Sequence, residues 1–116
     1  VYAYYFTGPD KDSASGAAHA AEISYVFGTK DVPEKGAALR DAVQGYWTSF
    51  ASDGDPGAHG GVDWPQLSLK PKVLKLGAEI QVLSDFRKAQ CALWDDVYDA
   101  ELKPPAISAK EPSEEP

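Results

Sequence analysis

Between residues 37 and 52 the chain places Val43, Tyr46, Trp47 and Phe50 at offsets of four, seven, eight and eleven from Leu39, the repeat of one face of an α-helix. A stripe holding three aromatic rings has to be covered, so it reads as packing against a sheet rather than as a ligand-stacking surface. Three segments can supply strands: Val1 to Phe6, read as a buried strand, and Lys72 to Leu76 with Ile80 to Leu83, read as a hairpin around Gly77-Ala78-Glu79. A second helix follows, capped by Ser84 or Asp85, with Phe86, Ala89, Leu93, Trp94 and Val97 on one face. Two strand regions and two helices of this kind carry more apolar face than 116 residues can bury among themselves.

Between the first strand and the first long helix lies Ser15-Gly-Ala-Ala-His19-Ala-Ala-Glu22-Ile23-Ser24-Tyr25-Val26-Phe27-Gly28. Gly8, Pro9, Asp12, Ser13, Ser15 and Gly16 supply turn chemistry before it, and residues 20 to 27 read as a short helix stopped by Gly28 in the left-handed position after its last turn. A histidine on a loop that follows a strand is where open α/β folds place reactive groups. A lone histidine among alanines is more often an ordinary surface or packing residue, so this loop alone does not assign a role to His19. Glu22, three residues on, invites pairing with His19 as a dyad, and the spacing leaves a direct contact open.

The composition, with 43% hydrophobic and 11% aromatic residues, suits one small folded unit. Eighteen acidic against eleven basic residues give a net charge of -7 with no basic stripe, which argues against nucleic acid or an anionic membrane as partner. No apolar run approaches the ~20 residues of a membrane span. The chain starts inside a strand with neither an initiator methionine nor a signal peptide, so the natural N-terminus is expected upstream. No internal repeat occurs.

The single cysteine, Cys91, has no intrachain partner and reads as a buried thiol on a helix face. A single thiol is compatible with a secreted or periplasmic setting. Asp53-Gly54-Asp55 lacks the further carboxylates and closing glutamate of a calcium loop, and reads as a helix terminus running into an Asp55-Pro56-Gly57 turn. The Gly-rich loop beyond it is expected to leave His59 solvated. From residue 103 onward apolar content almost vanishes, so residues 103 to 116 are expected to form a disordered tail beyond a folded segment 1 to 102.

Four blocks in order resemble the C-terminal part of the type B carboxylesterase and cholinesterase family: His19-Ala20-Ala21-Glu22-Ile23 with Val26-Phe27-Gly28; Tyr46-Trp47-Thr48-Ser49-Phe50-Ala51-Ser52-Asp53-Gly54-Asp55-Pro56; Trp64-Pro65 with Leu76-Gly77; and Gln90-Cys91 with Trp94. The resemblance spans about residues 1 to 99. Ala20 departs from the usual glycine, and alanine disfavours a positive φ. The resemblance implies an α/β class, namely the last sheet strands and packing helices of an α/β-hydrolase fold that is incomplete without an upstream chain. It implies a serine esterase in which His19 is the triad histidine and Glu22 supports the histidine loop, the family's acid lying far upstream. The partner is then the upstream polypeptide bearing the nucleophilic serine and the acid, the substrate is a small ester, and no cofactor or metal is required. In the cholinesterase branch the cysteine at this place can pair with one upstream of the histidine. None of the chain's own serines lies in a Gly-x-Ser-x-Gly elbow, and no oxyanion glycine run is present. The alternative is a cholinesterase-like binding or adhesion protein that keeps the fold and has lost the nucleophile. An independent interaction module is disfavoured by the incomplete core.

Overall fold

The computed structural model of the protein describes residues 1–10, 16–29 and 31–102. The expected tail lies outside the described residues. The chain divides into two compact units, Val1–Phe86 and the segment from Arg87 onward.

The first unit is built on a three-stranded sheet in the order β1 (Tyr4–Gly8), β4 (Lys72–Gly77), β5 (Ile80–Ser84). β4 and β5 form the expected antiparallel hairpin, Leu74 opposite Val82 and Leu76 opposite Ile80. β1 runs parallel to β4, with Tyr4 opposite Leu74 and Phe6 opposite Leu76. A parallel pair needs a long crossover, and the helices and small hairpin between the two strands supply it. Ahead of β1 the chain is already tied down, Ala3 carbonyl accepting from Leu74 N–H at 3.0 Å and from the Trp64 indole at 3.2 Å.

The crossover holds α1 (Ile23–Phe27), a 3-10 turn (Glu34–Gly36), α2 (Ala37–Asp53) and a two-stranded hairpin of β2 (Ala58–His59) and β3 (Val62–Asp63). Gly28 ends α1 in the left-handed region at φ 63°, as expected, and Gly54 ends α2 in the same way at φ 72°. α2 turns Leu39, Ala42, Val43 and Tyr46 into the core, where they meet Tyr25, Trp64, Leu74 and Leu76. The helical stripe read from the sequence therefore covers the sheet over most of its length, and at its end Phe50 stays exposed, edge-on to Tyr2 at 5.9 Å.

Two expectations about burial fail. The first strand is not a buried one: Tyr4 and Tyr5 are 39% and 37% exposed, because within this unit β1 has β4 on one side alone. In the second unit, α3 (Lys88–Val97) has no buried residue, and a π-helical turn, Tyr98–Leu102, continues it. Its start also differs from the expected cap. Arg87, left-handed at φ 56°, stands at the N-cap without a side-chain capping bond to the helix, and Asp85 is left-handed too, so the chain kinks twice before the helix begins. Cys91 is a free, exposed thiol and not a buried one, as follows from a helix that buries nothing.

Candidate active site

β1 ends at Gly8, and the chain returns as an exposed stretch, residues 16 to 18, that leads into a turn over residues 19 to 22. His19 opens this turn and is exposed. The turn is closed by backbone bonds from Ala21 N–H to Ala18 carbonyl at 3.1 Å and from Ile23 N–H to Ala20 carbonyl at 3.2 Å. Ala20 adopts φ 65°. The position thus keeps the left-handed backbone that glycine occupies freely, with an alanine bearing the strain, at about 1–2 kcal/mol for an L-residue.

Glu22 stands at the N-cap of α1, its carbonyl accepting from Tyr25 and Val26 N–H at 2.9 and 3.1 Å. Burial, then the charge of Glu22 and hydrogen bonding to it, push the phenol of Tyr4, a residue of β1, above its ordinary pKa. Below the turn, α1 is anchored by Tyr25. Its ring meets Phe6 at 5.2 Å, and its buried hydroxyl end lies against Gly36, where a Cβ would crowd it at 2.8 Å. Gln44 of α2 adds a bond of 3.4 Å to the Val26 carbonyl.

His59 corrects the sequence reading. It is not in a solvated loop but half-buried in the β2–β3 hairpin, with Nε2 3.0 Å from Ser49 Oγ and its ring edge-on to Tyr46 at 5.0 Å. Tyr46, fully buried, shares its one hydroxyl proton between the His59 and Val62 carbonyls, 2.7 and 2.5 Å away, and so pins both strands of that hairpin. Ser49 and His59 have the separation of a nucleophile and its base. Yet Ser49 lies within α2, where backbone N–H groups are spent on the helix ladder and offer no oxyanion site. The pair is a clasp between helix and hairpin.

The aspartates considered for calcium are used locally. Asp53 accepts from Ser52 Oγ at 3.1 Å, and Asp55 accepts from Gly57 N–H at 2.9 Å, shaping the turn around the buried Pro56. Among the described residues no three or more His, Cys, Asp or Glu side chains are grouped to hold a metal ion, and no helix is long and apolar enough to cross a membrane.

The model of the carboxylesterase family matches residues 1–94. The chain belongs to the carboxylesterase family. Among family members it is 31% identical to the liver carboxylesterase of Sus scrofa over 99 residues, covering 80% of this chain and 18% of that protein. It is 32% identical to a medium-chain fatty acyl-CoA hydrolase precursor of Anas platyrhynchos, over 67% of this chain and 15% of that one. Among solved structures it superposes on a PNB esterase with a TM-score of 0.69 at 28% identity, covering 79% of this chain and 20% of the other. A Geobacillus stearothermophilus carboxylesterase gives 0.67 at 28% identity, over 81% and 22%. The fold is that of part of an α/β-hydrolase, and the chain spans about a fifth of the length of these relatives.

Proposed function

We propose that this chain contributes the general-base histidine, His19, to a serine carboxylesterase whose nucleophile and acid are carried by upstream polypeptide. The reading rests on one observation above all. His19 stands on a closed turn beyond the C-terminal end of β1, a strand that pairs in parallel with β4, at the edge of an α/β-hydrolase sheet where open α/β folds gather their reactive groups. Membership in the family supports it, and so does the chain order of such enzymes, in which histidine comes last. The serines of the chain fit an auxiliary role, since none lies in a nucleophile elbow.

In this reaction the neutral imidazole of His19 takes the proton of the incoming serine hydroxyl as it attacks the ester carbonyl. It then returns the proton to the departing alcohol, and repeats the cycle with water to release the acid. Histidine suits both transfers because its ordinary pKa lies near neutral pH. The substrate is a carboxylic ester, in keeping with relatives named carboxylesterases. The walls that choose among esters belong to the four-fifths of the family's length beyond this chain.

The test is His19→Ala in the enzyme assembled from this chain and its upstream polypeptide, assayed on a nitrophenyl ester with circular dichroism to confirm folding. Turnover should fall by about 10⁴ with little change in KM. A folded variant retaining more than about a tenth of wild-type turnover overturns the assignment and favours a binding protein that keeps the fold without the chemistry. This chain by itself should show no turnover.

A further inference from the structure

We propose that the exposed side of α1, Ile23 and Phe27 together with the alanines around His19, is the seat of the upstream polypeptide that carries the nucleophile. The inference rests on His19 being the general base.

From residue 16 to residue 28 the exposed side chains are those of Ala17, Ala18, His19, Ala20, Ile23 and Phe27, so the imidazole is the one polar group on an otherwise apolar surface. Phe27 is 74% exposed and Ile23 49%. Four residues apart on α1, they lie on one side of the helix. The other side is already used. Tyr25 is buried against Phe6, and Val26 packs on the core while its carbonyl accepts from the Gln44 amide at 3.4 Å. α1 therefore cannot roll to hide Ile23 and Phe27 without drawing Tyr25 out of the core. The histidine turn runs straight into this helix, Ile23 N–H donating to the Ala20 carbonyl at 3.2 Å, so a chain that reaches His19 meets the start of α1 as well.

Scattered exposed apolar residues are ordinary on a protein surface, whereas a contiguous apolar surface around a reactive group marks a contact face. The chemistry decides what makes the contact. A general base acts within about 2.6–3.2 Å of the hydroxyl it deprotonates, or through one water, so the serine has to arrive at this surface on a chain of its own. None of the serines of this chain lies in a nucleophile elbow. A second copy of the chain lacks one for the same reason, and so do residues 103 to 116. The upstream polypeptide remains, and in the solved relatives about four-fifths of the length lies outside the part this chain matches. Seated on Ile23 and Phe27, it buries their apolar area and displaces water from beside the imidazole in the same step.

The experiment uses the assembled wild-type enzyme. Hydroxyl-radical footprinting read by mass spectrometry gives the oxidation rates of Phe27 and Ile23 in the folded enzyme and in urea, and both should be at least about tenfold slower in the folded enzyme. Rates close to those in urea overturn the proposal. Replacing Phe27 by the photoreactive p-benzoylphenylalanine then identifies the neighbour, with position 23 as the second site if that variant does not fold. The main cross-link should fall on the upstream polypeptide. A main cross-link to residues 87 to 116, or to a second copy of this chain, overturns the assignment of the seat. Neither measurement reads turnover, so the two inferences separate. His19→Ala that keeps its turnover removes the general base, whereas an inactive His19→Ala beside a freely oxidised Phe27 removes the seat alone.

Discussion

The imidazole of His59 occupies the space that a side chain at position 45 would fill: a Cβ on Gly45 would overlap Nδ1 and lie 2.7 Å from Cγ. Gly45 is therefore a contact residue within α2, accepting the helix penalty of glycine so that the β2–β3 hairpin can lie directly on the helix. Gly45→Ala gains helix propensity and loses this fit. It should lower stability by about 1–3 kcal/mol, read as a reduced melting temperature, since neither the helix backbone nor the pinned hairpin can move away cheaply.

His59→Ala removes the 3.0 Å bond to Ser49 and the ring contact with Tyr46, so it should cost about 1–2 kcal/mol in stability. Turnover of the assembled enzyme, measured below the melting transition, should stay near wild type. A loss of turnover comparable to that of His19→Ala would place His59 in the chemistry.

Tyr46 carries the alkaline limit. Burial first raises the pKa of its phenol above the usual 10.0, and the nearby Asp63 charge adds to this while the bond to the His59 backbone opposes it. A raised pKa means that the folded state holds the proton more tightly than the unfolded chain. Its contribution is therefore complete below about pH 10 and is lost as the pH rises through the folded value. Urea unfolding should show stability falling above that pH. Tyr46→Phe should cost about 1–2 kcal/mol at neutral pH and flatten part of the alkaline decline, the rest following from Tyr4 and Tyr25, whose phenols burial also raises.

Ala20→Gly replaces a left-handed alanine with the residue that adopts φ 65° freely. Relief of about 1–2 kcal/mol is offset by about 0.5–1 kcal/mol of extra chain entropy in the unfolded state, so a net gain of about 0.5–1 kcal/mol is expected from thermal unfolding. Equal or lower stability would show that the strain is absorbed elsewhere in the turn.

Cys91 should react in the native protein. Its exposure on α3 predicts that a thiol-specific disulfide reagent titrates one group per chain without denaturant, at a rate close to that in urea. Protection would mean that the helix is covered in the molecule as tested.

The order of the elements was legible in the sequence because each is specified by neighbours along the chain. The stripe from Leu39 to Phe50 marks α2, Gly28 and Gly54 end their helices by the one backbone region that glycine enters freely, and the alternation around Gly77 to Glu79 marks the hairpin of β4 and β5. The residue blocks around His19 and Trp47 carried the family for the same reason, being contiguous. What distance along the chain conceals, only the fold decided. Phe6 and Tyr25 are separated by a loop and meet because β1 pairs with β4 and α1 packs on α2. His59 looked solvated among glycines, yet those glycines let a two-residue hairpin fold back onto Gly45, and a missing side chain leaves no pattern that periodicity can register. The α3 start eluded the cap reading because Asp85 and Arg87 take left-handed angles that their residue types do not signal. Periodicity reports which side of an element is apolar, whereas the burial of Tyr4, Phe50 and Cys91 depends on whether another surface is there to meet it.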